Sequence, residues 1–268
     1  MIDFHTHILP GIDDGSRDES MTEAMLFEEL KQGVQLIAAT PHFYANRDSV
    51  DGFLERRAEA LEKTEQIRAR VAANGEILPE LVVGAEVYYF RGMGQAKDIP
   101  KLCITRRQQS PGAQIYEGTT TYGSTDQVLT NTLLLEMPFE QWNEGVVRDV
   151  LDLIRKQGLN IVLAHVERYF EFQKDRRYWD EIMELPITTQ INAGSFLRKG
   201  SFLRPDKKKK FSINWLREHP RMILGSDCHN LTSRKPNVGE ARKVIAKELG
   251  EEALRDIDQA TLEALELL

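Results

Sequence analysis

Residues 1–15 read MIDFHTHILPGIDDG, which sets two of the chain's six histidines one residue apart in its opening segment. If residues 2–7 are extended, alternate side chains share a face, so His5 and His7 point the same way. A double carboxylate, Asp13-Asp14, follows within one short loop. Two imidazoles on one face beside paired carboxylates suit a metal ion, but an HxH pair alone is a weak signal. The rest of the chain decides.

Working outward, apolar runs at 2–4, 36–39, 81–85, 133–135, 160–164, 188–191 and 222–225 read as strands. Helical patterning fills most of the intervals. Residues 19–32 repeat Met21, Met25 and Leu26, Leu30, residues 53–73 are charged and amphipathic, and 144–157 repeat Val146, Val147, Val150, Leu151 and Ile154. Gly33 and Gly158 fall where helix C-caps are expected. Alternating β and α units imply a mostly parallel sheet, open or closed into a barrel. At 268 residues, one barrel-sized domain over 1–268 is expected. One stretch breaks the rhythm. Residues 103–130, CITRRQQSPGAQIYEGTTTYGSTDQVLT, are rich in Gly, Ser, Thr and Gln and carry no helical stripe. They read as a surface excursion with a hairpin around Gly118 and Gly123, not as a separate domain.

A net charge of -7 argues against nucleic acid as a partner, because phosphate backbones need clustered positive charge. The lysine run at 207–210 reads as a solvated face near a helix start. No stretch is long and apolar enough for direct membrane insertion, and the opening residues lack the basic and apolar regions of a secretion signal. Cys103 and Cys228 are far apart and form no CxxC pair, so the expected location is a reducing cytoplasm. Nothing in the pattern specifies an oligomeric state.

The reactive residues fall at one kind of place. His5 and His7 end the first strand, and His42 follows the second in ATPH. Glu86 follows the third in VVGAE, Glu136 ends the fourth in LLLEMP, and His165 ends the fifth in IVLAHVERY. Asp227 and His229 follow the last in ILGSDCHN. In parallel α/β folds, side chains at the carboxyl ends of strands converge on one rim, where ligands bind. His219, in REHP, precedes a strand and belongs to the opposite rim. Taken singly, a Glu after an apolar strand is a helix cap or a turn residue, and a buried histidine is hydrogen-bonded core. Their joint placement points to a metal site, and so many imidazoles and carboxylates exceed the needs of one ion. A cluster of two or three metals is the reading. A rival lies in the same motif: CHNLTSR, from Cys228 to Arg234, fits the C-x5-R pattern of cysteine-dependent phosphatases. Alternation turns Cys228 away from Asp227 and His229, and the loop lacks the glycines that would cradle phosphate.

The segments FHTH, ATPH, GAEVYY, LLLE, LAHVERY and GSDCHN, in this order, resemble the PHP (polymerase and histidinol phosphatase) family. The likeness is nearest to its bacterial protein-tyrosine phosphatase branch, encoded with capsule and exopolysaccharide systems. It implies a distorted (β/α)7 barrel with a manganese-dependent metal site at the strand C-termini, iron or zinc being alternatives. By resemblance, His5, His7, Glu86 and Asp227 hold one ion, and Glu86 bridges to a second held by Glu136 and His165. His42, His229 and an acid of the Asp13-Asp14 pair hold the third, with Asp14 favoured. Arg168 and Arg234 resemble the branch's phosphate-contacting pair, and Tyr88 and Tyr89 are candidates for the mouth. The implied substrate is a tyrosine-phosphorylated protein, a bacterial tyrosine kinase of polysaccharide assembly. A small phosphomonoester such as histidinol phosphate, or a non-catalytic metal-binding docking module, are the alternatives. The 103–130 excursion lengthens the usual interval between the two glutamates and bears on the shape of the substrate mouth.

Overall fold

A computed structural model of the chain describes residues 1–107, 127–200, 206–219 and 221–267. Its strands are β1 (Ile2–Thr6), β2 (Leu36–Ala39), β3 (His42–Phe43), β4 (Glu80–Val83), β5 (Glu86–Tyr88), β6 (Thr105–Arg107), β7 (Gln127–Leu129), β8 (Thr132–Glu136), β9 (Asn160–Leu163), β10 (Thr188–Asn192) and β11 (Met222–Gly225). The helices are α1 (Glu19–Gln32), α2 (Val50–Ala73), α3 (Glu144–Arg155), α4 (Arg177–Met183), α5 (Ala193–Leu197), α6 (Lys207–Glu218), α7 (Val238–Leu249) and α8 (Glu251–Ala264). The fold is mixed α/β. Every apolar run predicted as a strand forms one.

Two parallel sheets result, ordered β1-β2-β4 and β11-β10-β9-β8-β5-β3. They are halves of one surface, because β2 and β4 each break and resume as β3 and β5. Pro41 cannot donate to a ladder, and the break is bridged by other groups. Gly84 N–H donates to the Ala39 carbonyl at 2.9 Å and Glu86 N–H to the Pro41 carbonyl at 3.0 Å. At the other side, Asp227 N–H donates to His5 O at 2.8 Å and His7 N–H to Cys228 O at 2.9 Å. The segment after β11 therefore lies directly beside β1.

The core follows from the alternation of strand side chains. Phe4, Ala38, Val82, Leu134, Val162 and Ile223, one from each of six strands, form an inner cluster with Ala260 and Leu265 at the C-terminal end of the chain. The other parity, including Ile37, Leu81, Leu133, Ile161 and Leu224, packs outward into a larger cluster shared with the helices. Near-continuous apolar strands are what a parallel sheet buried on both faces requires.

Three boundaries differ from the sequence reading. The helix expected at 53–73 starts at Val50, because the Ser49 side chain caps it by accepting from Gly52 N–H. The helix expected at 144–157 ends at Arg155, with Gly158 beyond it at φ 70°, whereas Gly33 caps α1 as expected at φ 88°. The 103–130 stretch does not begin on the surface: Cys103 and Ile104 are fully buried, and β6 pairs antiparallel with β7. The hairpin expected around Gly118 and Gly123 lies outside the described residues.

Candidate metal centre

The strand ends bring the predicted residues together. Asp3 faces the helix layer, and strict alternation would send His5 the same way. The β1–β2 register shifts between Asp3 and Thr6, however, and a bulge of this kind re-aims side chains. His5 and His7 then point to one place, their Nε2 atoms 3.1 Å apart. Around them stand Glu86 Oε2, 3.3 Å from each Nε2, and Asp227 Oδ1, 3.7 and 3.4 Å away. All four residues are buried. Two glycines make this approach possible. A Cβ on Gly225 would lie 2.6 Å from His5 Cβ, and one on Gly15 would lie 2.4 Å from His7 Cβ.

A second group adjoins the first through Glu86. His165 Nε2 is 2.8 Å from Glu86 Oε1 and 3.4 Å from Glu136 Oε1, while His42 Nδ1 is 2.9 Å from Glu86 Oε2 and 3.9 Å from Glu136 Oε2. A third collects His7, Asp14, His42 and His229, with Asp14 Oδ1 3.5 Å from both His42 Nε2 and His229 Nε2. Asp13 and Asp14 are placed differently. Asp13 Oδ2 accepts from His7 Nδ1 at 2.7 Å and from His42 N–H at 3.0 Å, and Oδ1 accepts from Gly15 N–H at 2.9 Å. Asp13 therefore orients His7, and Asp14 is the acid that faces the cluster.

These atoms fit divalent cations better than they fit one another. Metal–ligand bonds near 2.0–2.2 Å put neighbouring donor atoms roughly 3.0–3.5 Å apart, which is the spacing seen around His5, His7 and Glu86. His42 Nδ1, Glu86 Oε2 and His229 Nε2 are buried with no hydrogen-bond partner among the described residues, although each faces another donor of the set. Buried polar atoms left unpaired are costly, and cations held by these groups would satisfy all three.

The charges are arranged to match. Burial works against ionisation of Glu86, but the His5 charge and the His165 hydrogen bond hold its carboxyl well below the usual range. Burial likewise opposes the Asp227 carboxylate, and the His5 and His7 imidazoles depress its pKa. For His165, burial is outweighed by hydrogen bonds to Glu136 and Glu86, which raise its pKa to about 9. For His229, burial and the neighbouring His7 charge push it down to about 3. Backbone strain also gathers here: His165 at φ 33° and Asp227 at φ 54° are two of the three non-glycine residues with positive φ among the described residues.

Both predicted arginines reach the site. The turn after His165 is closed by Arg168 N–H donating to His165 O at 2.8 Å, and Arg168 Nη1 lies 3.6 Å from Asp227 Oδ2. Its guanidinium also sits 5.0 Å from the Phe139 ring centroid. Arg234 Nη2 donates to Asp227 Oδ1 at 2.6 Å. Tyr88 faces the Tyr44 ring at 5.6 Å, whereas the Tyr89 hydroxyl donates to Asp149 and serves packing. Cys228 is buried, with Sγ 3.6 Å from Glu29 Oε1, and burial followed by the Glu29 charge pushes its thiol well up. A thiolate nucleophile has no place here. His219 stacks on Trp215 at the end of α6, away from the cluster.

Two supporting residues escaped the sequence reading. Gln190 Oε1 accepts from His165 N–H at 2.7 Å and lies 3.1 Å from His5 Nδ1. Asn192 Nδ2 donates to Asp227 Oδ2 at 2.7 Å. The signal was present in TTQIN: two polar residues spaced i, i+2 at the end of a buried strand, the same pattern as HTH.

The chain is 27% identical over 261 residues to the tyrosine-protein phosphatase CpsB of Streptococcus pneumoniae, covering 96% of this chain and 94% of that protein. It is 28% identical over 252 residues to the tyrosine-protein phosphatase YwqE of Bacillus subtilis, covering 94% and 86%. A crystal structure from work on YwqE and CpsB, described as unique metal-dependent tyrosine phosphatases, matches with a TM-score of 0.73 at 25% identity, over 99% of this chain and 94% of that one. In fold alone, the phosphotriesterase homology protein of Escherichia coli is similar, with a TM-score of 0.50 at 11% identity over 97% of each chain. The family model for capsular polysaccharide synthesis proteins, CpsB/CapC, matches residues 1–110 and 114–264, and this chain belongs to that family.

Proposed function

We propose that this chain is a metal-dependent phosphomonoesterase that hydrolyses phosphotyrosine on a protein, with a bacterial tyrosine kinase of polysaccharide assembly as its substrate. The observation that carries the reading is the convergence of five imidazoles, four carboxylates and two guanidiniums on one rim. Family membership and near-full-length similarity to proteins named tyrosine phosphatases support the choice of reaction.

In this proposal His5, His7, Glu86 and Asp227 hold one ion, Glu86, Glu136 and His165 a second, and Asp14, His42 and His229 a third. Manganese is the proposed metal, with iron or zinc as alternatives. Divalent ions supply Lewis-acid activation of water and neutralise the charge that builds on phosphoryl oxygens. The rest belongs to the protein. Asp13 accepts a hydrogen bond from His7 Nδ1–H, which leaves the Nε2 lone pair facing the cluster. Gln190 supports His5 in the same way. Arg168 and Arg234 exchange Asp227 for phosphate oxygens, offering planar, charge-assisted hydrogen bonds. A phenolate leaves readily, so no strong general acid is needed.

The whole chain is proposed as one domain, a distorted (β/α)7 barrel closed by the hydrogen bonds between β1 and the segment after β11. A cytoplasmic location is part of the same reading; no helix among the described residues is long and apolar enough to cross a membrane. The test is kcat/KM on a phosphotyrosine peptide and on histidinol phosphate, after EDTA and after manganese, iron or zinc is restored. Metal-restored turnover that favours the peptide supports the proposal. Preference for histidinol phosphate would move the protein to small-molecule chemistry, and no turnover of any phosphoester would leave a docking module.

A further inference from the structure

Beside Asp14 and His42 opens a cavity of about 440 Å³, lined further by Ile12, Tyr44, Arg47, Phe53 and Arg56. Building on the tyrosine-phosphatase reading, we propose that this cavity seats the residue next to the phosphotyrosine, and that Arg47 selects an acidic side chain there. Tyr44 joins the cavity to the site, its ring 5.2 Å from that of His42 and 5.6 Å from that of Tyr88. The turn after β3 doubles back, with Arg47 N–H donating to Tyr44 O at 2.9 Å. This lays the Arg47 guanidinium 4.5 Å from the Tyr44 ring centroid.

The nearby charges leave Arg47 as the unmatched one. Asp13 is spent on His7, His42 and Gly15, and Asp48 pairs with Arg56. Asp14 turns to His42 and His229. Among the described residues, no carboxylate lies within ion-pair distance of Arg47. A guanidinium stacked on a ring is held in place through its face while its edge N–H groups stay free to bind a carboxylate. Ile12, partly exposed, offers apolar contact to the methylenes of the incoming side chain, and buried Phe53 backs the cavity wall. A peptide that sends its phosphotyrosine down to the cluster carries the neighbouring residue along this rim.

The experiment uses the manganese-loaded protein and three phosphotyrosine peptides that differ only in a flanking Glu, Gln or Lys. The wild type is expected to favour Glu over Gln in kcat/KM by roughly threefold, the scale of a solvent-screened ion pair, and to lose that preference as salt is raised. Arg47→Ala brings the ratio to about one, and Arg47→Glu shifts preference to the Lys peptide. Equal turnover of all three peptides by the wild type, or an unchanged ratio in Arg47→Ala, overturns the inference and leaves the phosphatase reading standing. Turnover of para-nitrophenyl phosphate with none of any peptide overturns both.

Discussion

Asp13→Asn isolates how the chain prepares a ligand without being one. Asp13 accepts three hydrogen bonds, from His7 Nδ1 at 2.7 Å, His42 N–H at 3.0 Å and Gly15 N–H at 2.9 Å. An asparagine amide has one oxygen for these three donors. With its NH2 turned to His7, the imidazole must accept at Nδ1 and carry its proton on Nε2, the atom aimed at Glu86 and Asp227. With its oxygen turned to His7, the amide group instead opposes Gly15 N–H in a loop too close to His7 to shift freely. Removing a carboxylate that orients a metal-bound histidine costs about 10- to 100-fold in metal affinity, or roughly 1.4–2.7 kcal/mol. The assay is manganese reactivation of EDTA-treated protein, followed on para-nitrophenyl phosphate, with calorimetric titration of manganese as a check. The half-saturating manganese concentration should rise by that factor, with most turnover recovered at saturation. A shift smaller than about threefold would refute the orienting role of Asp13.

Other expectations are simpler. Cys228→Ser should keep turnover within about threefold, because the buried Sγ faces Glu29 and not the cluster; loss of activity in a folded variant would revive the thiolate mechanism. Arg168→Ala and Arg234→Ala should each lower kcat/KM on a phosphotyrosine peptide by roughly 10- to 100-fold, the worth of a charge-assisted hydrogen bond, with metal content unchanged by elemental analysis. In EDTA-treated protein, His165 contributes stability that is full below its unfolded pKa near 6.5 and is lost as pH rises through its folded value of about 9. Denaturant unfolding should therefore show a loss on the order of 3 kcal/mol across that window, and His165→Asn should flatten it; equal slopes in the two proteins would contradict the assignment.

Much of this candidate site is legible in the sequence because strand ends gather side chains on one rim by a simple rule. HTH and DCH each place two donors one residue apart, and the other donors sit where apolar runs stop. The fold was readable for the same reason, since β and α periods alternate clearly. What was not readable depends on contacts between distant segments. Asp13 and Asp14 are equivalent acids in one loop until His7 and His42 select between them. Gln190 and Asn192 gain their role only from the positions of His165 and Asp227, which follow β9 and β11 on either side of β10, and of His5 on β1. Cys103 and Ile104 look like the start of a polar excursion but are buried, because Ile104 hydrogen-bonds to Thr130 and Thr132 and packs in the inner cluster while Cys103 packs in the larger one.

The most direct test of the central claim is an anomalous-scattering map from crystals grown with manganese. Two or three peaks are expected, one among His5, His7, Glu86 and Asp227, one between Glu86, Glu136 and His165, and any third beside Asp14, His42 and His229. Chelation that empties these positions should abolish phosphotyrosine turnover in parallel. Absence of peaks there, together with activity that survives chelation, would contradict that claim.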